Sequence, residues 1–310
     1  MKDRLSIVIP VYNASQTIER LINVLFSELT GKVDFEVILV NDYSPDDSWN
    51  KIEKLHKAYP DRITGINLSK NYGEHNAVMA GYHHCSGDYI VNIDDDFQNP
   101  PSEILKMLDA IKEGYEVVYA QFEKKNHSLF RNLGSWFNGQ VARHMLNKPA
   151  DLYIGSFRII TRNLLEQIKS YVGPYPYIDG LILRSTSRIK SIPVAHNARA
   201  EGQSSYTLVK LLRLWSYMFL NFSVKPLRMA SLLGLALSLL GFIYAIYVIV
   251  EKIMNPQAHM GYASIMTAIL IISGVQLIML GLLGEYIGRI FISNNNSPQF
   301  TVFQSLTRKN

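Results

Sequence analysis

Cysteine is nearly absent: Cys85 stands alone among 310 residues. No intramolecular disulfide can form, which fits a reducing compartment, and Cys85 is expected to serve packing. No GxGxxG follows the first strand-like run, Leu5 to Val11, which argues against a dinucleotide-binding oxidoreductase. That run is also too short for a secretory signal and contains Pro10, so the amino-terminal part is not expected to be exported. Internal repeats and low-complexity segments are missing as well. Charge is missing from two long stretches, Met229 to Val250 and Ala263 to Gly284. As a helix each would extend about 33 Å, enough to cross a hydrocarbon core of about 30 Å. Because they are apolar all round rather than on one face, two membrane spans are expected in preference to two buried core helices.

The charges that are present lie around those stretches. Lys210, Arg213, Lys225 and Arg228 precede the first and Arg289 follows the second, whereas the connection offers only Lys252 beside Glu251. The positive-inside bias predicts a multi-pass cell-membrane (inner-membrane) protein with its amino-terminal domain and both termini in the cytoplasm. A formal charge of +5 would suit nucleic acid. The basic residues gather near the apolar segments instead, so the expected partner is an anionic bilayer surface or a phosphorylated lipid, not nucleic acid. Between Tyr206 and Val224, Leu208, Leu211, Leu212, Trp215, Met218, Phe219 and Phe222 recur at helical spacing beside Lys210 and Arg213. This is the pattern of an interfacial helix, with a helix packed on its own domain as the alternative.

Upstream, short buried runs alternate with helical patterns. Strands are predicted at Leu5 to Val11, Phe35 to Val40, Ile63 to Leu68, Tyr89 to Ile93 and Glu116 to Gln121. Helices are predicted near Ala14 to Leu29, Asp47 to Tyr59, Glu74 to Cys85 and Pro100 to Glu113, the last capped by Asn99. The alternation predicts an α/β fold with a mostly parallel sheet and helices on both faces. Ligands of such sheets bind beyond the carboxyl ends of the strands. The residues there are polar: Asn13, then Asn41 and Asp42, then Ser69, Lys70 and Asn71, then Asp94-Asp95-Asp96. Three adjacent carboxylates repel one another. Coordination of Mg2+ or Mn2+ by one or two of them relieves this, and the ion can hold a diphosphate. A solvated turn capping a helix is the alternative.

Ile7 to Asn13, Val40 to Asp42, Lys70 to Gly73 and Asp94 to Pro101, taken together, resemble the family 2 inverting glycosyltransferases of the GT-A fold. The two spans and Gly284 to Phe291 narrow the resemblance to the polyprenyl-phosphate glycosyltransferases, a group that includes dolichol-phosphate mannose synthase-like enzymes and bacterial undecaprenyl-phosphate sugar transferases. The resemblance implies a nucleotide-sugar donor, with uridine as the preferred base, and a polyprenyl phosphate acceptor. It implies that Pro10, Tyr12 and Asn13 border the nucleotide, that Asp42 hydrogen-bonds the base with Lys70 nearby, that Asp94 and Asp95 lie on the donor, and that Asp96, with Asp94, holds the metal. Helix capping for Asn13, turn formation for Asp42 and a solvated strand end for Lys70 are the alternatives.

On the acceptor side, dolichol-phosphate-type members often place an Asp before Phe-Arg, where this chain has Ser156 before Phe157 and Arg158. Asp151 and Asp179 are candidate substitutes as base; an unassisted Ser156 hydroxyl is a poor one. A phosphate monoester, with a second pKa near 6, arrives largely deprotonated and needs positioning rather than proton removal. Arg131, Arg158, Arg199 and Lys225 are candidates for that contact, since guanidinium groups suit phosphate. Gly284 and Gly288 permit close helix approach, from which a homo-oligomer is expected, and Glu285 and Arg289 are spaced to pair. The expected organisation is a catalytic domain over 1–205, an interfacial helix over 206–226, a membrane hairpin over 227–292 and a tail over 293–310. Two other readings stay open. One is a glycosyltransferase acting on a hydroxyl of a lipid-linked glycan; the other is a non-catalytic nucleotide-binding membrane scaffold.

Overall fold

The computed structural model describes residues 3–122, 152–195, 225–255, 262–295 and 298–308. The chain divides into two compact units, Met1–Thr207 with Ser297–Asn310, and Leu208–Asn296. The first is built on one eight-stranded sheet. Its strands are β1 (Arg4–Val11), β2 (Asp34–Asn41), β3 (Ile63–Leu68), β4 (Tyr89–Asn92), β5 (Val117–Phe122), β6 (Arg158–Thr161), β7 (Ile189–Val194) and β8 (Val302–Leu306), in the spatial order β7-β5-β6-β4-β1-β2-β3-β8. β1 pairs parallel with β2 and β4, β2 with β3, and β5 with β7. β6 runs antiparallel between β4 and β5, and β8 antiparallel along β3.

The central strands are continuous apolar runs because both faces are covered. From Leu5 to Ile9 every residue of β1 is buried, and so is every residue of β2 after Asp34. Helices α1 (Ile18–Leu29), α2 (Ser48–Ala58), α3 (Glu74–Tyr82), α4 (Ile104–Ile111), α5 (Arg162–Lys169) and α6 (Ile178–Ser185) accompany the sheet. α1 buries Ile18, Leu21, Ile22, Leu25 and Leu29 on one stripe. Each such side chain contributes about 1.5–3 kcal/mol. α1 starts later than the predicted Ala14, because Asn13 turns the chain with φ 57° before the helix can begin.

Asn99 does not cap the next helix. The extended Pro100 delays the start until a 3-10 turn at Pro101–Glu103, with Pro101 in its first turn. The Asn99 amide is thereby left to donate to Asp94 Oδ2 at 3.0 Å.

The second unit contains helices α7 (Lys225–Met254) and α8 (Tyr262–Asn294). At 1.5 Å per residue they extend about 45 and 50 Å, more than a bilayer core requires. Their apolar segments are Ala230–Glu251 and Ile271–Asn294. The second is displaced toward the carboxyl end of the expected Ala263 to Gly284, within one helix long enough to contain both. Leu232, Phe242, Ile278 and Leu280 are exposed on these helices, and apolar surface of that extent calls for lipid or another protein. The predicted interfacial helix from Tyr206 to Val224 lies outside the described residues.

Candidate active site

The loops following β1, β2, β3 and β4 are fastened to one another. Beyond β1, exposed Tyr12 donates its backbone N–H to Asp95 Oδ2 at 3.1 Å, and Asn13 donates its own to Ser44 Oγ at 3.1 Å. Pro10 sits inside β1, opposite Val40 of β2. Past β2, the buried Asp42 accepts from Tyr72 N at 2.7 Å and from Gly73 N at 2.8 Å. Burial raises its carboxyl pKa, and these two hydrogen bonds oppose the rise. The position expected to read a base thus also holds the loop after β3. Each oxygen accepts one N–H, which leaves a carboxylate with acceptor capacity to spare. Lys70 lies over the Tyr72 ring, 4.9 Å from its centroid.

The acidic triplet follows β4. Asp94 Oδ2 accepts from Asn99 Nδ2 and from the Ser156 hydroxyl, and Asp96 Oδ1 accepts from Gln98 N at 3.1 Å. Phe97, at φ 61°, turns the chain immediately afterwards. Burial and the nearby Glu74 push the Asp94 carboxyl up to about 6. Burial, with Asp94 and Asp96 adjacent, pushes Asp95 up to about 7. Among the described residues, neither Asp94 nor Asp95 has a Lys or Arg ion-pair partner. Hard oxygen donors whose ionisation is disfavoured by burial and by one another are what a divalent cation relieves, so the residues fit Mg2+ or Mn2+. No closed cage of three ligands forms among the described residues. That suits an ion that takes one or two carboxylates from protein and completes its shell from phosphate and water.

Glu74 was not singled out in the sequence. It opens α3 directly after Gly73, whose φ of 88° and ψ of 156° turn the chain there. Glu74 is exposed as a residue, yet its carboxyl sits in a recess among protein atoms. That recess raises its pKa, Arg158 opposes the rise, and Asp179 and Asp96 add to it. The signal available in sequence was an acid directly after a helix-starting glycine, a placement that helix dipoles alone explain.

The acceptor-side expectations change most. Arg158 is only 3% exposed, and its Nη1 lies 2.5 Å from Asp179 Oδ1. The Tyr119 hydroxyl donates to that same oxygen at 2.9 Å. Burial disfavours the Arg158 charge, but Asp179 raises its pKa above the ordinary value. The expected phosphate ligand and the expected base therefore neutralise each other inside the fold. The reason is topological: antiparallel β6 carries Arg158 into the interior, and the first turn of α6 brings Asp179 against it. His75 packs edge-on to Tyr177 at 5.2 Å, and burial lowers its pKa to about 4, so its ring is neutral. Ser156, set aside as a base, instead donates to Asp94. Lys225 is the first residue of α7; its side chain, and Arg131, Asp151 and Arg199, lie outside the described residues.

Known proteins resemble the chain over nearly its whole length. Residues 6–169 match the model of "Glycosyl transferase family 2" and residues 225–290 that of "GtrB C-terminal hairpin". The chain is 33% identical to the "Uncharacterized glycosyltransferase YkcC" of Bacillus subtilis (strain 168), over 97% of this chain and 93% of that protein. It is 32% identical to an undecaprenyl-phosphate 4-deoxy-4-formamido-L-arabinose transferase of Enterobacter sp. (strain 638), over 98% and 94%. Among solved structures it resembles glucosyl-3-phosphoglycerate synthase from Mycobacterium tuberculosis in complex with Mn2+, UDP and phosphoglyceric acid. The TM-score is 0.53 at 18% identity, covering 69% of this chain and 75% of that one. That likeness bears out the expected fold.

Proposed function

We propose, from the premise that this chain belongs to glycosyl transferase family 2, that it moves a sugar from a nucleotide sugar to a polyprenyl phosphate with inversion at the anomeric carbon. The observation that carries the reading is the meeting of Asp94, Asp95, Asp96 and Glu74 beyond the carboxyl end of the sheet, in a chain that also carries two long apolar helices. Mg2+ or Mn2+ held by Asp96 and Asp94 would neutralise charge developing on the leaving diphosphate. Tyr12, Asn13, Asp42 and Lys70 border the nucleotide. Uridine is the favoured base, since the similar solved synthase binds UDP.

The acceptor phosphate attacks the anomeric carbon. Because that phosphate is already largely ionised, no side chain has to take a proton from it. Among the described candidates, the commitment of Asp179 to Arg158 and of Ser156 to Asp94 supports this acceptor over a hydroxyl, which would need a free base. Arg131, Arg199 and Lys225 are assigned to the acceptor phosphate.

The domain assignment is a catalytic domain over 1–205 completed by β8 from the 293–310 segment, an interfacial helix over 206–226 and a membrane hairpin over 227–292. Both termini are cytoplasmic, with the Gly284 and Gly288 face favouring a homo-oligomer. Pairing of β8 with β3 supports that topology, because it requires the segments before α7 and after α8 to share one side of the bilayer.

The test supplies purified full-length protein in detergent with undecaprenyl phosphate, Mn2+ and a panel of UDP-sugars, among them UDP-glucose and UDP-4-deoxy-4-formamido-L-arabinose. A lipid-linked sugar labile to mild acid is expected, formed about 100-fold or more slowly by Asp96→Asn. An acid-stable glycoside would refute the phosphate acceptor, and full activity of Asp96→Asn without metal would refute the metal's role.

A further inference from the structure

We propose that the segment after the second membrane helix, residues 298–308, is part of the donor site: it straps the loop Ser69–Gly73 into its binding conformation, with Arg308 as the positioning residue. The inference rests on the reading of that loop as donor-binding. Residues 293–310 were expected only as a tail, yet Val302–Leu306 completes the sheet as β8, with Leu306 opposite Gly65 and Val302 opposite Leu68. Antiparallel pairing sends its two ends to opposite ends of β3. At the site end, the Thr301 carbonyl accepts from Ser69 N at 2.9 Å, and the Tyr72 hydroxyl meets both Ser69 Oγ, at 3.1 Å, and Thr301. At the far end, Arg308 pairs with Glu36 and donates to Ser86 Oγ at 3.2 Å.

Glu36 makes that far end a firm anchor. Its side chain is 1% exposed in the middle of the sheet, where it also accepts from Ser6 Oγ at 2.5 Å and from Ser86 N at 2.6 Å. The fit along β3 is close: a Cβ on Gly65 would stand 2.8 Å from Ile52 Cγ2 and 3.3 Å from Leu306 Cδ1. Between Ser69 and Gly73 the chain has no ladder of its own. Its backbone is fixed by Asp42 on one side, through Tyr72 and Gly73, and by Thr301 on the other. Losing the second anchor frees Ser69 and the Tyr72 hydroxyl while Asp42 still holds. The donor then binds a loop that is correctly placed only part of the time, and its apparent affinity falls by that fraction. Arg4 also reaches Glu36, at 3.6 Å, so Glu36 is not left uncompensated when Arg308 is removed.

The test compares full-length protein with Arg308→Ala and Arg308→Lys. Amide hydrogen exchange is followed in Ser69–Gly73 and in β1 and β2, and UDP is titrated in the presence of Mn2+. Arg308→Ala is expected to speed exchange in Ser69–Gly73 while β1 and β2 stay protected, to weaken UDP about tenfold, and to raise the donor KM by the same factor with little change in kcat. Arg308→Lys should restore most of the affinity. Unchanged exchange in the loop would overturn the proposal whatever the ligand, as would faster loop exchange with unaltered UDP affinity. Loosening of β1 and β2 along with the loop would mark a merely structural role. If the unaltered chain binds neither UDP nor any UDP-sugar, the donor-site reading fails, and this inference with it.

Discussion

Buried ionisable side chains divide here between those that neutralise one another and those that wait for a partner. Arg158 and Asp179 belong to the first kind. Removing one member of a buried pair leaves an uncompensated charge, so Asp179→Ala is expected to destabilise the protein by about 3–5 kcal/mol, whereas Arg158→Met with Asp179→Leu should recover most of the loss. Thermal unfolding in detergent checks both. A catalytic base would instead show a large fall in kcat at unchanged stability. Cys85 is a simpler case. It is buried, its Sγ lies 3.4 Å from the Gly81 carbonyl oxygen, and burial pushes its pKa up to about 12. At pH 8 the thiol keeps its proton, and the thiolate is the reactive form. Native protein should therefore resist a thiol reagent that labels it promptly once unfolded. Asp94 and Asp95, partly buried and without a Lys or Arg ion-pair partner among the described residues, are of the second kind: the location of the triplet was legible from three acids after an apolar run, but the hydrogen bonds it accepts were not. Nothing local says that Ser156, more than sixty positions away in the chain, donates to Asp94.

At the level of elements, what was legible depended on how local the signal is. β3 falls where its apolar run predicted, and β1, β2, β4 and β5 fall within about two residues of theirs, because buried parallel strands are written as continuous apolar runs between turn residues. Antiparallel β6 and the two edge strands, β7 and β8, were missed. Arg158–Thr161 is only four residues long, and Val302–Leu306 owes its place to pairing with β3 across the whole membrane hairpin. Missing β6 had a chemical consequence, since Arg158 read as a phosphate ligand when its strand context was invisible. Gly73 connects element to site. Its backbone lies in a region essentially reserved for glycine, and a Cβ there would meet nothing within 4 Å. Gly73→Ala therefore carries a conformational cost alone, about 1–3 kcal/mol. It displaces the N–H that donates to Asp42 and the first turn bearing Glu74. A raised donor KM with a modest drop in melting temperature is expected; steady-state kinetics with UDP-sugar varied at saturating lipid phosphate would detect it.

For the whole molecule, chain connectivity limits how many times the chain crosses a bilayer. α7 and α8 are each long enough to cross a bilayer and expose leucine and isoleucine along their length. The chain that leaves the sheet before α7 returns to the same sheet as β8 after α8. A strand cannot pair across a hydrocarbon core, since its backbone groups would have to be unsatisfied there. The number of crossings between the sheet and β8 must therefore be even, which two spans satisfy and one does not. Tags placed before Met1 and after Asn310 should be cleaved by protease from the same side: both protected in intact cells, both accessible in inverted vesicles. Because the basic residues cluster outside the loop between the helices, that shared side is expected to be the cytoplasmic one. Tags found on opposite faces would be incompatible with β8 pairing with β3 within one chain. Both tags reached from outside the cell would keep the pairing but reverse the orientation, removing the proposed donor site from the compartment where nucleotide sugars are made.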